Sequence, residues 1–212
     1  MSDCCIINLA SGKWYPRGQA RLVQSLKDVG FTGGVHVYQN EKDVGAPLHS
    51  KAPYGFKPYT FMKAKELGYT KILWVDASAW AVADVTPVFD VIKDKGYIME
   101  YAGHNVGRWC NDHCLKHFDL TREEAKKILM YGNGGFLGFD FDKYLSDEFL
   151  HRWKHACDCG AFNGSWDDHR HDMTCGSIIA HRLKMEFDFS KTFFTYGATP
   201  TKPETCFCCQ GM

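Results

Sequence analysis

A single aspartate follows an apolar run in the segment KILWVDASAW, residues 71 to 80. Asp76 ends this run and precedes two small residues, Ala77 and Ser78, which allow a ligand to approach the backbone closely. A carboxylate in this position suits a hard divalent cation such as Mg²⁺ or Mn²⁺, because such ions take oxygen ligands and share them with substrate phosphates. The same spacing also suits a carboxylate that caps the turn after a strand.

Three further acids lie just before, or at the start of, a segment with helical character. Asp167 and Asp168 form a pair in SWDDH, and Asp172 stands at the expected start of a helix over residues 173–184. A carboxylate in such a place can act as a nucleophile or a general base. Aspartate is also a favoured N-cap residue, so Asp172 has a purely structural interpretation as well.

Cations and backbone groups complete the set of candidate site residues. Lys57 and Arg21 can assist a leaving group, although a lysine on a helix is more often a solvated surface charge. Asn133 lies in the turn GNGG, whose glycines also suit a tight turn. After the first apolar run, the backbone of four residues offers hydrogen bonds to a ligand: Leu9, Ala10, Ser11 and Gly12.

The chain has ten cysteines, which we expect to be reduced thiols. Cys110, His113, Cys114 and His117 lie close together in one segment. Zinc takes such ligands, so a structural zinc site is the alternative to thiols that pack as small hydrophobic side chains.

Strands and helices that alternate along the chain must position these residues. Thr121 with Glu124 three residues later is a capping box, which predicts a helix that ends near Met130. The other helices are expected over residues 17–29, 58–68, 87–95, 142–157 and 173–184. Strands are expected over residues 4–10, 34–39, 71–77, 97–102, 134–141, 185–189 and 192–197.

This alternation predicts an α/β fold of one domain, residues 1–212, which can itself be part of a longer chain. We expect a mixed, mostly parallel central sheet of about six strands with helices on both faces. In such Rossmann-like sheets, ligands bind at the carboxyl ends of the strands. The candidate residues around Ser11, Asp76, Asn133 and Asp172 all fall at that edge.

The composition argues against nucleic acid as a partner. The formal net charge is zero, so the chain has no overall excess of positive charge to bind a phosphate backbone. No run of about 18 apolar residues suggests a membrane span, and the amino terminus does not resemble a signal peptide. We therefore expect a cytoplasmic protein, in the host cytoplasm if it is viral.

The segments YGFKPYTFMKAKELGYTKILWVDASAW and ADVTPVFD resemble the GT-A-fold glycosyltransferases that use nucleotide sugars. In that family, a lysine-bearing helix leads into an apolar strand that ends in an Asp-X-Asp motif. INLASGKWY, YGNGGFLGFD and HRHDMTCGSIIAHRL resemble further segments of the family in the same order. The whole-length pattern is most similar to the chlorella-virus members that build a capsid glycan.

The resemblance implies a glycosyltransferase that needs Mn²⁺ or Mg²⁺ and moves a hexosyl or deoxyhexosyl unit from a UDP-sugar to a hydroxyl of a glycan acceptor. It implies metal binding at Asp76 and Ser78, although the second acid of the family motif is replaced by Ser78. The resemblance implies that Asp172 is the nucleophile of a retaining enzyme or stabilises its oxocarbenium ion. The pair Asp167 and Asp168 is the alternative, as the general base of an inverting enzyme, and Asn133 is expected to face the donor sugar. The implied donor-binding residues are Leu9, Ala10, Ser11, Gly12, Arg21, Lys57, Asp76, Ala77 and Ser78.

Two departures from the family pattern support other hypotheses. Ser78 replaces the second acid, and Met173 stands where glutamine is usual, so a catalytically silent module that binds nucleotide sugars or carbohydrate is the main alternative. A phosphohydrolase with Asp76 as nucleophile fits less well, because that chemistry needs a second acid two residues later.

Overall fold

The structure is a computed structural model that describes residues 3–210, so the outer limits predicted for the domain lie outside the described residues. Its centre is a five-stranded sheet made of β1 (Cys4–Leu9), β2 (Gly34–Tyr38), β3 (Lys71–Val75), β5 (Tyr97–Met99) and β8 (Phe136–Asp140). Their order in the sheet is β2, β1, β3, β8, β5. All residues of β1, β3 and β8 are buried, as their apolar sequences require.

The expectation of about six mostly parallel strands is wrong. β1 is parallel to β2 and β3, whereas β8 is antiparallel to both β3 and β5. One strand position therefore separates β3 from β5, and β8 occupies it in the antiparallel orientation. Alternation of strands and helices cannot reveal this, because the inserted strand comes from a distant part of the chain.

Two small sheets lie beside the central one. β4 (Ala79–Ala81) is antiparallel to β10 (Phe207–Cys209), which is parallel to β9 (Phe194–Tyr196). β6 (Tyr101–Asn105) and β7 (Leu129–Tyr131) form an antiparallel pair with a register shift. The strand expected over residues 185–189 is only an isolated bridge between Glu100 and Asp188.

Most helices form where apolar spacing predicts them. The long ones are α1 (Tyr15–Asp28), α2 (Phe56–Glu66), α3 (Thr86–Lys95), α6 (Tyr144–Asp158) and α7 (His171–Arg182). The short ones are α4 (Asp112–His117) and α5 (Arg122–Ala125). The capping box of Thr121 and Glu124 is present, but α5 ends at Ala125 because residues 129–131 pair with β6 instead.

Each face of the central sheet carries its own apolar core. One core includes Ile7, Trp74 and Phe139 and packs against side chains of α2, α6 and α7. The other includes Ile6 and Leu73 and packs against side chains of α1 and α3. Neighbouring residues of one strand thus enter opposite cores, because side chains alternate across a strand. Within residues 3–210, no helix combines the length and the apolar character needed to cross a membrane.

The direction of β8 determines which groups meet at the sheet edge. β8 is antiparallel to β3, so its amino end lies beside the carboxyl end of β3. The backbone N–H of Asp76 accordingly donates a 2.9 Å hydrogen bond to the carbonyl of Gly135. This contact joins the turn that contains Asn133 to the acid that follows β3.

Candidate active site

Asp76 lies directly beyond β3, and its carboxylate is held by the neighbouring indole. Trp74 Nε1 donates a 2.6 Å hydrogen bond to Asp76 Oδ1. Burial raises the pKa of Asp76, while the ammonium of Lys57 and the indole hydrogen bond oppose that rise. A further cation at this position would therefore stabilise the ionised form of the carboxylate.

Lys57 is buried, with only 3% of its surface exposed, in contrast to the solvated lysine that is common on helices. Its Nζ lies 2.8 Å from Asp172 Oδ2 and donates a second hydrogen bond of 2.8 Å to the carbonyl of Gly134. Burial works against the charged form, but the carboxylates of Asp172 and Asp76 raise the pKa of Lys57 above its ordinary value. The lysine is thus a fixed positive charge between two acids.

Asp172 is held through its backbone as well as its side chain. Its carbonyl accepts hydrogen bonds from Trp153 Nε1 at 3.0 Å and from the Tyr131 hydroxyl at 3.1 Å. α7 begins at His171, so the N-cap position belongs to Arg170 and Asp172 lies in the first turn. The structural interpretation of Asp172 as the N-cap is therefore wrong, and its carboxylate instead forms the buried ion pair.

The two glycines after Asn133 leave room for this cluster. A Cβ atom at Gly135 would lie 2.9 Å from Asp76 Oδ2, and one at Gly134 would lie 3.1 Å from Lys57 Nζ. Both distances are shorter than ordinary contacts of a Cβ atom. A tight turn alone does not account for these glycines, since the close approach of charged side chains also requires them.

The charges in the cluster leave a negative excess that fits a divalent cation. In their ionised forms Asp76 and Asp172 contribute two negative charges, against one positive charge on Lys57. The Ser78 hydroxyl lies 3.2 Å from Cys209 Sγ, and the Ser78 carbonyl accepts a 2.7 Å hydrogen bond from Arg21. Asp76 and Ser78 can supply one carboxylate and one hydroxyl, a sparse protein ligand set of the kind that Mg²⁺ completes with water and substrate phosphates.

A cavity of about 550 Å³ opens beside Asp76. Of the predicted site residues, seven line it: Leu9, Ala10, Ser11, Lys57, Asp76, Ala77 and Ser78. The other five predicted site residues are absent from the described lining: Gly12, Arg21, Asn133, Asp168 and Asp172. The cavity also has an aromatic wall that was not predicted from the sequence: Trp14, Tyr15, His49, Tyr54, Phe56 and Trp74. These residues come from three separate segments, so no local pattern in the sequence could have linked them.

Asn133 is buried, and both the nitrogen and the oxygen of its side-chain amide form hydrogen bonds with protein groups. Its Nδ2 donates a 2.9 Å hydrogen bond to Glu100 Oε2, and its Oδ1 accepts one of 2.9 Å from the Tyr196 hydroxyl. Desolvation raises the pKa of Glu100 to about 7, and Glu100 Oε1 has no hydrogen-bond partner among the described residues. Glu100 and Tyr196 were not among the predicted site residues, because neither lies in a motif.

Asp167 and Asp168 lie apart from the charged cluster. Both are exposed in the loop between α6 and α7. Within residues 3–210, neither forms an ion pair. The fold thus brings Asp172 to Lys57 and leaves the other two acids in solvent.

Comparison with known proteins gives matches in structure only. No protein-family model matches the chain, and no curated protein matches it in sequence. A glycosyltransferase involved in the glycosylation of the major capsid of PBCV-1 matches with a TM-score of 0.60 and 13% identity, over 97% of this chain and 93% of the other. This chain has a GT-A-like glycosyltransferase fold.

A second structure has the same fold at greater distance. The glycosyltransferase GlyE of Streptococcus pneumoniae TIGR4 matches with a TM-score of 0.52 and 13% identity over 91% of this chain. The match covers 46% of the GlyE chain, so this chain spans about half the length of that protein. The resemblance to GT-A glycosyltransferases stated from the sequence is confirmed at the level of the fold.

The ion pair of Lys57 generates a prediction about stability. Lys57→Met removes the only ammonium that contacts Asp172 among the described residues and leaves buried carboxylates uncompensated, which should cost about 3 to 5 kcal/mol. Without this ammonium, the pKa of Asp76 rises further, so the loss should shrink as the pH falls and the carboxyl group takes up a proton. Urea unfolding at pH 7 and pH 5 measures both effects.

Lys63→Met is the matched control, because Lys63 lies on the same helix in an exposed pair with Glu66 at 3.0 Å. Such pairs contribute about 0.5 kcal/mol. Equal losses for the Lys57 and Lys63 variants would contradict a structural role for the buried pair.

Glu100 generates a prediction about pH dependence. Because its folded pKa of about 7 lies above the unfolded value of 4.5, the folded state loses stability as the pH rises between these values. Glu100→Gln, which resembles the protonated form, should therefore be more stable than the parent by about 3 kcal/mol at pH 8 and nearly equal to it at about pH 4. Unfolding free energies of both proteins at each pH provide the measurement. A difference that does not change with pH would contradict the raised pKa.

Proposed function

We propose that the chain is a metal-dependent glycosyltransferase that moves a hexosyl or deoxyhexosyl unit from a UDP-sugar to a sugar hydroxyl of a glycan. The main observation is the position of Asp76, beside the cavity and next to the buried pair of Lys57 and Asp172. The fold shared with two glycosyltransferases supports sugar transfer in general. UDP as the nucleotide follows from the resemblance of the sequence segments.

The cavity supports a nucleotide diphosphate by size and lining. Its volume of about 550 Å³ falls in the range of small-molecule sites. The aromatic wall offers flat faces against which a planar base can stack. Ser11 lines the same cavity, and its backbone groups can hydrogen-bond to a ligand there, whereas the N–H of Ala10 already donates to the carbonyl of Tyr38.

Asp76 and Ser78 are the proposed protein ligands of Mn²⁺ or Mg²⁺. When bound, the ion would neutralise charge on the leaving diphosphate. Asp76 Oδ2 faces the space that Gly135 leaves free, while Oδ1 is held by the indole of Trp74. The protein thus fixes the orientation of the carboxylate before any ligand arrives.

The buried pair supports a retaining mechanism. In the proposed reaction, the Asp172 carboxylate attacks the anomeric carbon as its bond to the diphosphate oxygen breaks. The acceptor oxygen then replaces the carboxylate and loses its proton to the departing diphosphate. Lys57 pairs with the Asp172 carboxylate and fixes its orientation, whereas the exposed Asp168 has no comparable contact.

A silent binding module is the second candidate. The contact of Ser78 Oγ with Cys209 Sγ and the burial of Asn133 favour it, since both groups already bond to protein. Such a module would bind UDP-sugar without releasing UDP. Turnover therefore separates the two candidates.

A thermal-shift screen tests the proposed donor site. UDP should raise the melting temperature when Mn²⁺ is present and do so much less in its absence, because ligands that bind only the folded state stabilise it. Asp76→Asn should abolish the metal-dependent part of the rise in melting temperature. The same variant should release UDP from a UDP-sugar at least tenfold more slowly than the parent. Asp90→Asn, an exposed position on α3, is the control that should change neither. Indifference of the parent protein to UDP, GDP and CDP with both metals would refute the proposal.

The stereochemistry of the product tests the proposed role of Asp172. NMR of the newly formed glycoside should show the anomeric configuration of the donor, and Asp172→Asn should lower the transfer rate at least a hundredfold. Asp167→Asn is the matched control, because Asp167 is exposed and outside the cluster. An inverted product, with activity that depends on Asp168, would move the catalytic role to that residue.

A further inference from the structure

A group of metal-ligating side chains is buried away from the proposed donor site. Cys110, Cys114 and His169 each offer a ligand atom, and these atoms all lie within 4.8 Å of one another. A fourth thiol contacts one member of this group, since Cys175 Sγ lies 3.6 Å from Cys114 Sγ, while Cys175 itself is outside the set of three mutually close ligand atoms. All four residues are buried, and the three cysteines are free thiols.

The ring of His169 has an unused nitrogen. Its Nε2 lies 3.0 Å from the carbonyl oxygen of Ala161, which can only accept a hydrogen bond, so Nε2 carries the proton. Nδ1 is buried and has no hydrogen-bond partner within residues 3–210. A histidine that donates one ring N–H to a backbone carbonyl and keeps the other nitrogen free has the arrangement of a metal ligand.

We propose that Cys110, Cys114, Cys175 and His169 bind one structural zinc ion. Zinc in structural sites takes four protein ligands in a tetrahedron, and a zinc–sulfur distance of about 2.3 Å places two sulfurs about 3.8 Å apart. The 3.6 Å separation of Cys114 Sγ and Cys175 Sγ is close to that value. A site with three cysteines and one histidine is a known structural type.

The proposed ligands differ from the group that is adjacent in sequence. His113 is exposed and His117 is only half-buried, so neither shares the buried position of Cys110 and Cys114. The third and fourth ligands come from the loop before α7 and from α7 itself. The ion would therefore join two distant segments, which is the arrangement that stabilises a fold most directly.

The same two segments already contact each other through Trp109. Its carbonyl oxygen accepts hydrogen bonds from the backbone N–H of Arg170 at 3.1 Å and from the Thr174 hydroxyl at 2.6 Å. Asp172 lies between these two residues. Zinc at the neighbouring cluster would thus hold in place the first turn of α7, which carries the acid that pairs with Lys57.

The metal content of the purified chain tests this inference independently of sugar transfer. Protein expressed with added zinc should contain about one zinc ion per chain after desalting, measured by elemental analysis. Replacement with Co²⁺ should produce the strong visible bands of tetrahedral cobalt with thiolate ligands. Removal of the ion by a chelator should lower the melting temperature, and Zn²⁺ should restore it.

Cysteine variants locate the site. Cys114→Ser and Cys175→Ser should each lower the zinc content severalfold, whereas Cys206→Ser, a buried cysteine of another core, should retain the parent value. His113→Ala should also retain it and thereby exclude the neighbour in sequence. If the cluster variants do not fold, the zinc content and the cobalt spectrum of the parent protein are sufficient to test the proposal. Folded parent protein without zinc and without the cobalt bands would overturn the proposal.

Discussion

The buried ion pair between Lys57 and Asp172 is the interaction on which the site depends. It joins α2 to α7 across the edge of the central sheet, and the same ammonium binds the carbonyl of Gly134 at the amino end of β8. Removal of one partner would leave the other charge buried in a medium of low polarity, which is far more costly than the loss of a surface pair. Three elements are therefore held at one point by a single side chain.

The antiparallel direction of β8 makes this arrangement possible. In a sheet of only parallel strands, the turn before β8 would lie at the opposite edge from Asp76. Because β8 runs against β3, the turn before β8 lies beside the end of β3, and its glycine carbonyls accept hydrogen bonds from the Asp76 backbone N–H and the Lys57 ammonium. The negative excess that remains in the cluster accounts for the proposed need for a divalent cation next to the cavity.

Much of the fold could be predicted because local forces determine it. The apolar run before Asp76 forms a buried strand, and Thr121 with Glu124 forms the predicted capping box. The helix after that box was predicted too long, because pairing of β7 with β6 competes with helix formation in residues 129–131. The burial of Lys57 could not be predicted, since its partner is 115 positions away and the charge alone suggests a solvated residue.

The sequence by itself determined that a carboxylate follows a buried strand at the ligand-binding edge, because an apolar run and the turn residues after it specify a strand and its end within a few positions. It also contained the segments that resemble GT-A glycosyltransferases. Only the tertiary structure decided which charges compensate Asp76, which aromatic residues surround the cavity, and that His169 rather than His113 adjoins the buried thiols. The physical reason is that these groups meet through long-range packing, and the direction and order of the strands set that packing.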